Sequence, residues 1–436
     1  MIKRILYTLL IMFPVLASAQ INTDRVMAIG RNALYFEDYV LSIQYFNQVI
    51  NAKPYLSDPY FYRGLAKINL DDFQGAESDC SEAIERNPFV VSAYQVRGLA
   101  RIQQNNFAGA IEDYTKALEF DPENIGVWHN MALCRIRQED YKGAKNDLDK
   151  LIAISPRYTK AYLMRGEVDL KQKDTLAAEK DFGKAIEIDR YDADTWASRA
   201  ILRLQQQRYK DAEADFDHAI RLSTRNSGVY INRALARYHQ NNLRGAMSDY
   251  DIALDIDPNN FIGHYNRGLL RAQVGDDNRA IQDFNFVIEM EPDNMMAIFN
   301  RGLLLDQTGD YKGAIKDYST VINEYPNFLL GYQYRAQARR KIGDVKGADA
   351  DEFKVLKAQL DKQNGVDPNK QTADNTENNK TRKKSDKNMN NYRKIVVADN
   401  EEGEEKYKSD YRGRVQDKNV NIVPQPMFVL TDRKST

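Results

Sequence analysis

Arginine and aspartate recur at a fixed period of 34 residues, so ion pairing is the first chemistry that this sequence suggests. Within each period the two residue types lie at equal distances from a turn midway between them. Their side chains should therefore face each other and form one charge-assisted pair per period. The arginines are Arg63, Arg97, Arg165, Arg199, Arg233, Arg267, Arg301 and Arg335, and the aspartates are Asp79, Asp113, Asp147, Asp181, Asp215, Asp249, Asp283, Asp317 and Asp351.

We interpret these two rows as a structural ladder between paired helices, because each charge has an internal partner at matching height. The first period loses both members together, with Ile29 and Tyr45, whereas the fourth combines Met131 with Asp147. A second arginine row follows four residues after the first, on the same helical face. The sequence leaves open whether the same aspartates bridge both rows or the second row is solvated. Its members are Arg101, Arg135, Arg203, Arg237, Arg271 and Arg339.

The residues that most often carry catalysis are few and scattered. The two cysteines, Cys80 and Cys134, fall in apolar positions of non-adjacent periods, which favours buried thiols over a disulfide. The sequence has no glycine-rich phosphate loop and no nucleophile elbow. We therefore predict a protein that is not an enzyme and needs no metal or cofactor. The four histidines lie on different predicted helices without metal-ligand spacing: His129, His218, His239 and His264.

The elements that must position the charged rows follow the same period. Ten consecutive units run from about Thr23 to Lys362 without a slip in phase. A proline row stands at 54, 88, 122, 156, 258, 292 and 326, and a row of glycine or alanine stands at 30, 64, 98 and every 34 residues to 336. Spacings of three, four and seven residues within each half-unit are helical. Each unit is therefore predicted to be a pair of antiparallel helices, and in seven units a proline stops the second helix.

These units resemble tetratricopeptide repeats, with aromatic, small, alanine, aromatic, alanine and proline positions in the family order. The stretch 265–292, YNRGLLRAQVGDDNRAIQDFNFVIEMEP, fits almost throughout. The first unit departs at Ser42 and the tenth at Glu352, as terminal caps of a repeat array do. The resemblance implies an all-α fold, an α-solenoid in which helix pairs stack into a superhelix.

The resemblance also implies a concave groove lined by the first helix of each pair. Many residues in that position are apolar, which favours recognition of a peptide or a helix through hydrophobic anchors. The alternative is that the leucines only pack against the neighbouring repeat. The lysine and asparagine pattern with which some family members bind a terminal carboxylate is absent. The candidate groove residues are Phe61, Leu65, Ile68, Gln95, Leu99, Ile102, His129, Leu133, Ile136, Ile231, Leu235, Tyr265, Leu269, Phe299 and Leu303.

Residues 1–20 have the pattern of a cleavable signal peptide: Lys3 and Arg4, an apolar run, and then Ala17-Ser18-Ala19. The run from Ile5 to Leu16 is shorter than the roughly 20 apolar residues that span a bilayer. We therefore expect export to the bacterial periplasm or the outer membrane, with no transmembrane span in the mature chain. The formal net charge of −1 disfavours nucleic acid as a partner.

The period stops near Gln363, and the rest of the chain divides into two parts. Residues 363–406 are rich in Asn, Lys and Asp, so we predict a disordered, charged linker. Together with the signal peptide, this tail resembles those of Bacteroidota envelope proteins. Residues 407–436 regain apolar and β-branched side chains and could dock on a partner, on a sheet edge or in the chain's own groove. Candidate anchors are Val420, Ile422, Met427, Phe428 and Leu430.

These observations favour a non-enzymatic scaffold or adaptor in the cell envelope that binds partner proteins or peptides in its groove. The alternative is a periplasmic chaperone or secretion accessory that holds extended client chains. The apolar groove favours this function as well. One stoichiometric partner would identify the scaffold, and promiscuous weak binding would identify the chaperone.

Overall fold

The computed structural model describes residues 22–222, 225–363, 389, 392–395 and 398, and within them it contains twenty α-helices and no β-strand. The helices are α1 Thr23–Tyr35, α2 Tyr39–Ala52, α3 Asp58–Ile68, α4 Phe73–Arg86, α5 Val91–Gln103, α6 Phe107–Phe120, α7 Ile125–Arg137, α8 Tyr141–Ile154, α9 Thr159–Lys171, α10 Thr175–Ile188, α11 Ala193–Gln205, α12 Tyr209–Arg221, α13 Ser227–His239, α14 Leu243–Ile256, α15 Phe261–Gln273, α16 Asp277–Met290, α17 Met295–Thr308, α18 Tyr311–Glu324, α19 Leu329–Lys341 and α20 Val345–Gln363. The predicted all-α fold of tandem helix pairs is confirmed.

Each odd-numbered helix packs against the helix that follows it, which gives ten helix pairs, numbered repeat 1 (α1 and α2) to repeat 10 (α19 and α20). The described residues divide into two compact units at Ile188 and Asp189. The first unit contains repeats 1–5. The second contains repeats 6–10 and the described residues between 389 and 398. Across the described part of the chain, every helix is too short or too polar to cross a lipid bilayer.

A single residue in the left-handed conformation makes the turn inside each pair. In repeats 8–10 this residue is Gly275, Gly309 or Gly343, whereas repeats 1–7 place a side chain there at φ between 60° and 66°. The next residue is commonly Asp or Asn, whose side chain accepts the backbone N–H three residues later, as Asp310 does from Gly313 at 3.0 Å. The turn and the cap together fix where the second helix begins.

The row of small residues allows the two helices of a pair to approach closely. A Cβ added at Gly30 would lie 2.7 Å from the ring of Phe46, and one at Gly166 would lie 2.5 Å from the ring of Phe182. These rings are fully buried. The aromatic of the second helix therefore packs directly on the backbone of the first, where a larger side chain would force the helices apart.

The Arg–Asp ladder is present in every repeat that has both residues. Each arginine donates from two guanidinium nitrogens to the aspartate of the second helix, at 2.5–3.2 Å. In five repeats the second arginine row bonds the same aspartate at 2.7–3.0 Å, so these five aspartates bridge both rows, whereas in repeat 4 Asp147 pairs with Arg135 alone. The aspartates are buried, which makes the ladder part of the core and not a ligand surface.

The histidines and cysteines have structural surroundings. Both thiols are buried and free, and burial raises the pKa of Cys134 to about 12. His218 stacks on Trp196 and His239 stacks on Tyr209, while His264 contacts Asp283 at 2.9 Å. In the residues that the structure describes, no group of His, Cys, Asp and Glu side chains could hold a metal ion. At the end of the array, Glu352 is exposed and pairs with Arg340 at 2.7 Å.

Candidate peptide-binding groove

Three asparagines lie at the same position of successive repeats in the second unit. Asn232 on α13, Asn266 on α15 and Asn300 on α17 are 34 residues apart, and all three are buried. Buried amides need hydrogen-bond partners, so a row of them indicates polar groups at this surface. Asn232 and Asn300 supply the polar part of the candidate site.

The ladder holds these asparagines in place, because each one directly precedes a ladder arginine. Arg233 follows Asn232 and donates from Nε and Nη2 to Asp249 at 3.0 and 2.6 Å. Its Nη1 also donates to Asp217, on the second helix of repeat 6, at 2.7 Å. One arginine thus fixes α13 to its own partner helix and to the preceding repeat. The neighbouring asparagine is presented from a helix that cannot rotate without breaking these bonds.

The described residues of the tail, Met389, Tyr392–Ile395 and Ala398, lie against this asparagine row; we call them the bound tail residues. Asn232 makes a two-point contact with one of them. Its Nδ2 donates to the carbonyl oxygen of Ala398 at 3.0 Å, and its Oδ1 accepts the backbone N–H of Ala398 at 3.0 Å. A side-chain amide that pairs with both main-chain groups of one residue imitates a neighbouring β-strand.

A second contact to the main chain of the tail is made by repeats 8 and 9. The carbonyl oxygen of Tyr392 accepts hydrogen bonds from the hydroxyl of Tyr265 at 2.8 Å and from Nδ2 of Asn300 at 2.5 Å. Nδ2 of Asn300 also donates to the carbonyl oxygen of Met296 at 2.9 Å, within its own helix. The groove therefore binds the tail through backbone atoms at both Tyr392 and Ala398.

Apolar side chains of the bound tail residues fill the spaces between these polar contacts. Met389 and Ala398 are only 4% and 3% exposed. Met389 belongs to the buried cluster that includes Phe299, and Tyr392 meets the Phe299 ring edge to face at 4.8 Å. Ile395 packs on the cluster that contains Leu235, and Ala398 belongs to the cluster that contains Ile231.

The direction of the bound tail residues follows from these contacts. Met389 and Tyr392 contact repeats 8 and 9, whereas Ala398 contacts repeat 7. The tail therefore runs opposite to the order of the repeats. The tail residues that pack against the repeats lie three positions apart, and we call them the inward residues: Met389, Tyr392, Ile395 and Ala398. Arg393 and Lys394, which lie between two of them, are exposed. We name the groove lined by Ile231, Asn232, Tyr265, Phe299 and Asn300 the tail groove.

In the second unit, the groove residues expected from the sequence surround the bound tail residues. Ile231, Leu235, Tyr265 and Phe299 share buried clusters with them or bond to them. Leu269 and Leu303 are half-buried and pack on the cluster that contains Met389 and Phe299. Side chains of α13, α15 and α17 thus meet at one surface, and their binding of a partner stays a prediction.

In the first unit, the expected groove residues mostly pack against neighbouring helices. Most of them are buried, and the half-buried Ile68 and Ile136 pack on the same clusters of that unit as Leu65 and Leu133. His129 is buried and lies 3.3 Å from the hydroxyl of Tyr158, and Gln95 is half-buried. A role for these residues in binding stays a prediction. The remaining members of this set are Phe61, Leu99 and Ile102.

Two features of the site were missed in the sequence. The asparagine row lies one residue beyond the predicted apolar position, and its signal is the repetition of Asn at 232, 266 and 300 in an otherwise mostly apolar row. The bound tail residues lie inside the segment 363–406 that we expected to be disordered. Their signal is an apolar residue at every third position, Met389, Tyr392, Ile395 and Ala398, within a polar stretch. The predicted anchors between Val420 and Leu430 lie outside the described residues.

Tandem helix pairs with a small residue between paired helices and a proline after most pairs define a helical-repeat protein. Family models agree with this class. Models described as TPR repeat and tetratricopeptide repeat match residues 98–134, 125–158, 159–192, 198–261 and 265–327, which together make up about half of the chain. The chain belongs to the tetratricopeptide repeat family. As a member of this family, it is a protein–protein interaction scaffold, and no catalytic family is indicated.

Solved structures similar to this chain include other tetratricopeptide repeat proteins. One from Parabacteroides merdae is 21% identical with a TM-score of 0.45, over 57% of this chain and 98% of that one. The C-terminal part of one from Cytophaga hutchinsonii is 18% identical with a TM-score of 0.46, over 54% and 97%. PilF of Pseudomonas aeruginosa is 20% identical with a TM-score of 0.41, over 46% and 92%. A search of the curated proteins found no match.

Proposed function

We propose that this protein is an adaptor of the cell envelope that binds an extended segment of a partner protein in the tail groove. The observation that carries this proposal is the two-point contact of Asn232 with the backbone of Ala398. Both the nitrogen and the oxygen of this buried amide are thus paired with the backbone of one tail residue. The groove thus has the chemistry of a peptide site, with main-chain bonds for affinity and apolar spaces for selection.

The envelope location rests on the residues 1–20, whose charged, apolar and small-residue regions follow the order of a signal peptide. Cell fractionation tests it. We expect the mature chain, shortened near Ala19 or Gln20, in the periplasmic or outer-membrane fraction. A chain of full mass in the cytoplasm would refute export.

A holding chaperone is the second candidate, and the main-chain contacts are the observation that favours it. Hydrogen bonds from Asn232, Tyr265 and Asn300 reach backbone atoms of the bound tail, which every protein sequence offers. A chaperone would use these contacts for many clients, whereas an adaptor would add selection through its apolar spaces.

Photo-crosslinking in cells tests the groove as a partner site. A photoreactive amino acid replaces Leu269, which is half-buried beside the tail groove, or Gln282, which is exposed on α16. We expect a discrete crosslinked partner from position 269 and not from position 282, and its loss when Asn232→Leu and Asn300→Leu are combined. Many weak products from position 269 would identify the chaperone. Identical products from both positions would exclude the groove.

A further inference from the structure

We propose that the bound tail residues are an internal ligand, and that the external partner is a protein segment of the same pattern that binds by displacing them. This inference rests on the proposed function and specifies the ligand. The pattern is a large apolar residue, an aromatic, a β-branched residue and a small residue, each three positions after the one before. The partner chain would run opposite to the order of the repeats.

The contacts of the tail are those of a ligand in a site. The interaction is reciprocal at Ala398, whose N–H and carbonyl are both paired with the one amide of Asn232. Met389 and Ala398 lie outside the twenty α-helices, yet they are buried among side chains of the repeats. A charged linker that served only as a spacer would have no need of either feature.

The side chains that surround each inward residue determine which residue type a partner segment can place at that position. Ala398 shares its buried cluster with Ala234, Ala253 and Tyr250, so a larger side chain at this position would meet atoms already in close packing. The edge-to-face contact of Tyr392 with Phe299 favours an aromatic ring there. The exposed Arg393 and Lys394 leave the positions between the anchors free to vary.

An internal ligand controls when the groove is open. Because it belongs to the same chain, its local concentration at the groove is on the order of millimolar. If the isolated segment bound with a Kd of about 0.1 mM, the groove would be about nine-tenths occupied, and a partner would bind about tenfold more weakly. A partner therefore needs tighter contacts or a high local concentration of its own.

The test measures binding of a fluorescein-labelled peptide with the sequence of residues 387–400 to the full mature chain by fluorescence anisotropy. The internal ligand is disabled by Tyr392→Ala with Ile395→Asp. The matched control is Lys394→Ala, at an exposed position of the same segment. A third variant adds Asn232→Leu and Asn300→Leu to the disabled chain. Circular dichroism verifies that each variant keeps its helices.

We expect the disabled chain to bind the peptide at least tenfold more tightly than the wild type, with the Lys394→Ala chain unchanged. Binding should be lost in the variant without the two asparagines, and a peptide with Ala398→Trp should bind at least tenfold more weakly. Equal affinity of the wild-type and disabled chains would overturn the internal ligand and leave the groove as a peptide site.

Two further outcomes would also overturn the inference while separating it from the proposed function. If no folded variant binds the peptide but the crosslink from position 269 persists, the groove binds partners of another pattern. If the wild type forms a dimer that the disabled chain does not form, the tail binds the groove of a second copy. Mass photometry at micromolar concentration measures this.

Discussion

At the scale of single residues, the donors around Asp249 and Asp283 decide in which direction the pKa of each buried carboxyl group is moved. Burial raises the pKa of Asp249 above its usual value even though Arg233 and Arg237 both bond to it. Burial acts on Asp283 in the same direction, but His264 adds a third donor, and the pKa of Asp283 falls below its usual value. The ladder therefore lies close to the balance between desolvation and pairing.

The change Asp249→Ala tests whether this pairing fixes the helices. It leaves the buried guanidinium groups of Arg233 and Arg237 with a single carboxylate each, Asp217 and Glu213 of the preceding repeat, within hydrogen-bond distance. Removing one partner of a buried pair typically costs about 3 to 5 kcal/mol, whereas replacing the pair by apolar residues is nearly neutral. We expect Asp249→Ala to lower the free energy of unfolding more than Arg233→Met with Asp249→Leu does. Urea titrations measure both, and an equal or larger loss in the double variant would contradict the ladder's role.

Repeat 4 supplies a natural test of the same balance, because it has Met131 where other repeats have the ladder arginine. Asp147 keeps only Arg135, whose Nε lies 2.8 Å from Oδ2, and burial raises its pKa to about 7. A carboxyl group with a raised pKa binds protons more tightly in the folded chain than in the unfolded one. Its contribution to stability is therefore fully present below about pH 4 and is lost as the pH rises through about 7.

Restoring the missing arginine should remove this pH dependence. In Met131→Arg, a second guanidinium would face Asp147 as Arg165 faces Asp181, at 2.6 and 2.8 Å, and so lower its pKa. We expect the variant to gain thermal stability at pH 8 relative to pH 5, compared with the wild type, by up to a few kcal/mol. Melting curves at the two pH values measure it. The control is Met131→Leu, and the same pH dependence in all three chains would contradict the assignment.

At the scale of elements, the turn inside each pair needs one residue with a left-handed backbone. Gly309 has φ of 95° with nothing near an added Cβ, so Gly309→Ala would add only backbone strain. Gly183 also has open space around it but lies inside α10. We expect Gly309→Ala to destabilise by about 1 kcal/mol, and Gly183→Ala to stabilise by about 0.5 to 1 kcal/mol. Thermal unfolding of both variants measures the signs, and a shared sign would contradict the backbone explanation.

The helices were predictable from the sequence because the residues that begin and end each helix recur from one repeat to the next. The small residues and the helical spacing recur ten times in phase and the prolines seven times, so the errors of a single unit are corrected by the others. The ladder was predictable for the same reason. Whether the second arginine row is solvated could not be decided, because spacing along one helix does not tell how far the aspartate of the next helix reaches.

At the scale of the whole molecule, the candidate site depends on a segment that has no repeat to reveal it. The bound tail residues occur once, so nothing in the sequence pairs Tyr392 with Asn300 or Ala398 with Asn232 across more than ninety residues. The composition of residues 363–406 shows that this segment is polar and charged. It cannot show that a few apolar residues within it match spaces that only the folded repeats create.

Ending the chain after Gln363 should therefore affect one unit and spare the other. The bound tail residues lie against repeats 7–9 of the second unit, so their loss exposes the apolar side chains of the tail groove and removes the tail's hydrogen bonds to Asn232 and Asn300. We expect faster hydrogen exchange in α13, α15 and α17, by about tenfold where the lost contacts contribute about 1.4 kcal/mol. Exchange in α1–α10 should not change, which makes the first unit an internal control. Hydrogen–deuterium exchange with mass spectrometry compares the two chains. Unchanged exchange in α13, α15 and α17, or faster exchange throughout, would show that the tail does not stabilise this groove.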